Sequence, residues 1–141
     1  MKLLSGLAAA ALLFSAAPAF AQAPPGGVPL GAGIQRGVEE LNNSGQDGYV
    51  TLFPEGNHTH IVTALEGTKP GRVQTVAIQR GTDCTSIQPA IIAKSTDMMH
   101  GMSRGDVPIS TDRLLSGNYV VVIYSENTPG AHQVACSHLF R

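Results

Sequence analysis

The chain has 141 residues, nine Lys+Arg against ten Asp+Glu, a formal net charge of −1 and only two cysteines. That balance provides no basic footprint for nucleic acid or for an anionic membrane surface. Once the N-terminal segment described next is set aside, about 120 residues remain, one domain's worth, able to bury a core but not a generous one.

The N-terminus carries three parts in order: Lys2 as a positive start, an apolar stretch over residues 3–17, and the small-x-small triplet Ala19-Phe20-Ala21 before Gln22. This pattern predicts a cleaved secretory signal peptide over residues 1–21, because the translocon needs a short apolar helix and signal peptidase needs small side chains. The apolar run is short for a membrane span. No cysteine follows the cleavage site, so a lipid anchor has no attachment point, and no stable membrane anchor is expected. The expected location is the periplasm or the exterior. Residues 22–33 form a Pro/Gly-rich lead-in that can hold neither a helix nor a strand ladder. The folded domain is expected over residues 34–141.

From there, short β-prone runs alternate with Gly/Pro/Asn/Asp punctuation. Residues 38–41 read better as strand than helix, since a turn cluster begins at Asn42. Residues 47–54 (DGYVTLFP) place Tyr49, Thr51 and Phe53 on one face and Val50 and Leu52 on the other. Residues 58–66 (HTHIVTALE) are the second run and residues 72–79 (RVQTVAIQ) the third. Residues 85–104 read as a loop, followed by a short extended piece at 107–110 and one helical turn at 111–115. Residues 117–125 (GNYVVVIYS) are the clearest strand, and residues 133–140 close the chain with another. Such spacing predicts an all-β, antiparallel sandwich of seven or eight strands. In an exported chain the pair Cys84 and Cys136 reads most simply as one disulfide, with two free thiols or a metal site as alternatives.

Residues 70–84 (PGRVQTVAIQRGTDC), together with Val134-Ala135-Cys136, carry a resemblance. So do the turn and strand at 42–53, the corner at 65–71 and the run LLSGNYVVVI at 114–123. In order and spacing they resemble the Cu/Zn superoxide dismutase-like β-sandwich superfamily, in particular its small exported bacterial CHRD-like relatives. The resemblance implies an Ig-like, superoxide dismutase-like Greek-key sandwich. It also implies that Cys84 bonds Cys136, in agreement with the reading from compartment and count.

The same resemblance places the copper ligands on positions that lack imidazoles. Its His-x-His pair, two residues apart so that both side chains share a strand face, falls on Ala77 and Gln79, and its later histidine on Tyr124. Gln133 stands near the place of the arginine that steers superoxide, and residues 85–97 lack a histidine-rich zinc loop. A methyl group offers no donor, and a carboxamide is a poor substitute for imidazole at copper. The expectation is therefore a non-enzyme with no cofactor, having a binding or structural role through an exposed sheet face or the 85–104 loop; the partner is not specified.

Other residues could still hold a metal. His58 and His60 share a strand face and could bind Zn or Cu if a neighbour supplied a third ligand. With Ile61 and Leu65 on the opposite face, both histidines are expected at the surface. Asn57-His58-Thr59 also fits a glycosylation sequon. Met98, Met99, His100 and Met102 put three thioethers and an imidazole within five residues. Soft thioethers suit Cu(I), so a copper-binding protein using this cluster, with His58 or His60, is the alternative reading, although methionine is also a generic gap-filler. A metal-dependent enzyme with relocated ligands is a third, and requires three or more histidines or carboxylates within about 4–5 Å of a common point. His132 and His138 stand singly. Ser44 and Ser116 lie in turn-like settings without a nucleophile elbow.

Overall fold

The computed structural model describes residues 32–140. The expected signal peptide and most of the lead-in lie outside the described residues. Ten strands and one helix follow in chain order: β1 (Ile34–Glu40), β2 (Asp47–Glu55), β3 (His58–Glu66), β4 (Val73–Gln74), β5 (Val76–Gly81), β6 (Ile87–Lys94), β7 (Met98–Met99), β8 (Met102–Val107), α1 (Thr111–Ser116), β9 (Tyr119–Tyr124) and β10 (Gln133–His138). Every pairing is antiparallel, and the spatial order is β4-β7-β8-β3-β2-β1-β10-β9-β5-β6.

The strand β1 is the seam of this sheet. Its residues 34–38 pair with β2, whereas Glu39 and Glu40 pair with Cys136 and Ala135 of β10. The sheet curls there, so its two halves turn their inner faces toward one another. Val50, Leu52 and Ile61 from the first half meet Val76, Ile78, Val121 and Ile123 from the second in one buried cluster. Strand periodicity of two puts these residues inside, and each buried aliphatic side chain contributes about 1.5–3 kcal/mol. As the alternation predicts, Val50 and Leu52 are buried while Tyr49 is exposed, and Ile61 and Leu65 are buried opposite His58 and His60.

The outer faces of the halves differ. On the second half, a separate buried cluster joins Cys84, Val120, Val122 and Cys136, with Leu41, Ile87 and Tyr124 packed against it. The Cys84–Cys136 disulfide (Cα–Cα 5.8 Å) ties the segment after β5 over this face. That cover explains why β9 is apolar without alternation: both of its faces are buried. Among the described residues nothing comparable covers the outer face of the first half, and Tyr49, Met99 and Met102 are exposed there.

Several elements differ from the sequence expectation. Residues 85–104 are not a loop but hold β6, β7 and the start of β8. The run 72–79 is broken at Thr75: β4 pairs with β7 in the first half, and β5 with β9 and β6 in the second. Of the extended piece expected at 107–110 only Val107 is strand, as the last residue of β8, and Ser110 caps α1; β1 begins four residues before the expected strand. The two-residue strands and β6 raise the count from seven or eight to ten. The helical turn forms as expected: the Ser110 side chain accepts from the Arg113 N–H, Leu114 and Leu115 are buried, and the Gly117 N–H donates back to the Arg113 carbonyl.

Candidate functional site

Ala77 and Gln79 of β5 and Tyr124 of β9 lie on the outer face of the second half. Ala77 pairs with Val122 and Gln79 with Val120, while the Tyr124 N–H donates to the Thr75 carbonyl, which places Ala77 between the other two. The Tyr124 hydroxyl donates to Gln79 Oε1 at 2.7 Å, and Gln79 Nε2 donates to the Gln88 carbonyl at 2.8 Å. Gln79 and Ala77 are fully buried. The fold thus brings the three positions together, but as a satisfied carboxamide–phenol pair over a methyl group. Gln133 stands beside them as the cross-strand partner of Tyr124.

The loop tied by the disulfide carries the one clearly shifted titratable group among the described residues. Asp83 Oδ1 accepts from the Thr85 hydroxyl at 2.7 Å and the Thr85 N–H at 2.8 Å. These bonds, the hydroxyl's first, hold the Asp83 carboxyl below the usual aspartate range.

The methionine cluster is a tight hairpin. Met99 and Met102 are direct partners across β7 and β8, joined by His100 and Gly101 at φ +52 and +74. Two positive φ values are what a two-residue hairpin turn of the primed kind needs. Met98 points inward, fully buried in the main core. It is a packing residue and cannot join Met99, His100 and Met102 at a metal. Met102 also lies four positions along β8 from Asp106, the partner of His60, or about 13 Å at the strand rise. His58 and His60 therefore cannot share an ion with the methionines.

His58 and His60 acquire partners that sequence reading missed. Nine consecutive pairs join β2 to β3, from Asp47↔Glu66 to Glu55↔His58, and the two-residue turn Gly56-Asn57 closes them, with Gly56 at φ +67. His58 Nε2 donates to Glu55 Oε2 at 2.8 Å, and His60 Nδ1 to Asp106 Oδ1 at 2.7 Å. The Phe53 ring lies 6.2 Å from that of His60, centroid to centroid. One ligand atom each from Glu55, His58 and Asp106 all lie within 4.8 Å of one another. This set meets the proximity that a relocated metal site requires. The pattern Glu55-Gly56-Asn57-His58 held a readable signal for Glu55, since a two-residue turn between alternating runs sets residues 55 and 58 opposite each other. Asp106, 46 residues from His60 in sequence, left no such signal.

The remaining single histidines, His132 and His138, are both exposed. Ser44 donates to the Val134 carbonyl at 2.5 Å and serves the turn after β1. No protein-family model, curated protein or solved structure significantly matches the chain.

Proposed function

We propose that the chain is an exported, non-catalytic sandwich protein with a binding or structural role, built on a superoxide dismutase-like scaffold without the copper/zinc site. The connections β3 to β5, β6 to β8 and β8 to β9 each pass between the two halves, a pattern in keeping with Greek-key winding. The disulfide joins the loop after β5 to β10, as the resemblance implies, and suits an oxidising compartment such as the periplasm.

The observation that carries the reading is the hydrogen bond between Tyr124 and the buried Gln79. A copper that cycles between oxidation states is held by imidazoles in this superfamily. Here the carboxamide spends its oxygen on the phenol and its nitrogen on a carbonyl, and Ala77 has no donor. The contact surface is the outer face of the first half, where Tyr49, Ala64, Met102 and Met99 form one cross-strand row. The test is superoxide turnover by copper- and zinc-loaded protein. Background turnover is expected, and turnover clearly above that of free metal would defeat the reading.

A second reading, copper handling, draws on the exposed pair Met99 and Met102 flanking His100. Cu(I) titration of the wild type against the double variant Met99→Leu/Met102→Leu decides it. Equal affinity removes it.

A further inference from the structure

We propose that Glu55, His58 and Asp106 form a site for Zn²⁺ or a chemically similar borderline divalent ion, with His60 as the positioning residue for Asp106. The site is distinct from the Ala77–Gln79–Tyr124 position, which lies on the other half of the sheet, and it stands or falls independently of the reading above.

Four features carry the inference. The donors sit on continuous strand pairing rather than on a loop: Glu55 and His58 close the β2–β3 ladder, and Asp106 faces His60 from β8. Sites on such elements are held more firmly than sites on loops. Next, the spacing is close to what an ion needs. Metal–ligand bonds of about 2.0–2.2 Å at the tetrahedral angle set donors about 3.3–3.6 Å apart. The His58–Glu55 contact of 2.8 Å opens slightly, and the remaining separations, at most 4.8 Å, close by roughly 1 Å through the ends of partly exposed side chains.

Third, no permanently charged cation among the described residues neutralises the carboxylates. Among the described residues neither Glu55 nor Asp106 pairs with a lysine or arginine, and their ion-pair partners are the two imidazoles. A cation between the carboxylates fills that gap. Fourth, the secondary contacts resemble those around bound zinc, where ligating carboxylates are themselves hydrogen-bonded. His60 Nδ1 holds Asp106 Oδ1, which leaves the other carboxylate oxygen for the ion, and Phe53 packs near the His60 ring. When His58 Nε2 ligates, its proton moves to Nδ1, 3.5 Å from Asn57 Oδ1.

The donor chemistry selects the class of ion. One imidazole and two carboxylates suit Zn²⁺ and its neighbours, whereas Ca²⁺ and Mg²⁺ take oxygen-only shells and Cu(I) prefers thioethers. Three protein donors leave the fourth position for water or for a donor from a bound partner.

The test is competition for Zn²⁺ between a chromophoric chelator and the full mature protein, with variants first checked for unchanged melting in the absence of metal. One ion per chain is expected. His58→Ala and Asp106→Asn each abolish stoichiometric uptake, and His60→Ala weakens it by about 10–100-fold. His132→Ala and Met99→Leu/Met102→Leu leave it unchanged. Uptake by the His58→Ala variant equal to wild type, a loss in His132→Ala as large as in His58→Ala, or no stoichiometric uptake by the wild type would each overturn the proposal.

Discussion

Replacing Cys84 and Cys136 together by alanine removes the one covalent constraint on the second half of the sheet. The bonded residues are 52 apart in sequence. In the chain-entropy description, closing a loop of that length costs the unfolded chain about 14 cal/mol/K, or about 4 kcal/mol at 25 °C. Cys136 is fully buried and Cys84 nearly so, so losing both sulfurs from the outer cluster adds about 1 kcal/mol of packing loss. For a domain of about 110 residues, an unfolding entropy of roughly 2.1 cal/mol/K per residue converts the first figure alone into a drop of about 15–20 °C in Tm. Thermal unfolding by circular dichroism measures it, with dithiothreitol-reduced wild type as the companion sample. Reduction relaxes the unfolded chain without deleting atoms, so it shows slightly less of the effect. A drop under about 5 °C in both samples refutes the reasoning: the segment after β5 would then be held by its packing on Val120 and Val122 and not by the bond.

Three further outcomes follow from individual contacts. Tyr124→Phe leaves buried Gln79 Oε1 without its donor and costs about 1–3 kcal/mol in denaturant unfolding; an unchanged midpoint contradicts the hydrogen bond. Thr59 and Thr63 both face the core, but Thr59 Oγ1 donates to the Ile109 carbonyl at 2.7 Å and lies 2.8 Å from Thr111 Oγ1, whereas Thr63 Oγ1 has no partner among the described residues. Thr59→Val therefore destabilises by about 1–3 kcal/mol, while Thr63→Val is neutral or stabilising, and equal effects in the two variants would refute this distinction. The Asp83 carboxyl, held low mainly by the Thr85 hydroxyl, adds stability above the unfolded aspartate pKa. That contribution disappears as pH falls from there through the lower folded value. In Thr85→Val the NMR titration of Asp83 moves upward; an unmoved titration rules the hydroxyl out as the main cause.

Much of the fold is legible in the sequence because its central strands obey simple rules. β2 and β3 alternate cleanly since one face is wet, and β9 reads as a continuous apolar run since neither face is. The edges are harder. β6 (IQPAIIAK) is exposed along most of its length, pairs with β5 alone among the described residues and contains Pro89, so no alternation marks it. Proline and short pairing are common on edge strands because they discourage another chain from adding to the sheet. The break at Thr75 is hidden for a different reason: residues 73–79 are uniformly β-prone, and only tertiary pairing decides that the chain changes partners there.

The sites divide along the same line. Reading two histidines onto one face of β3 needs only the period of a strand, and their place on the face opposite Ile61 follows from it. Finding Asp106 requires the β3–β8 register, a contact 46 residues long that no local pattern encodes. The methionines show the converse. Their clustering in sequence suggests one ligand set, but strand alternation sends Met98 into the core and leaves Met99 at the surface.

The central proposal is that this chain holds no redox copper, because Ala77, Gln79 and Tyr124 stand where the superoxide dismutase-like resemblance places imidazoles. The most direct measurement is superoxide turnover after copper loading in a His58→Ala background, which removes a ligand of the proposed Zn²⁺ site, with and without the triple replacement Ala77→His/Gln79→His/Tyr124→His. The account predicts background turnover without the three histidines, and copper uptake with turnover above free metal once they are present. Turnover above background in the protein that lacks them would contradict it.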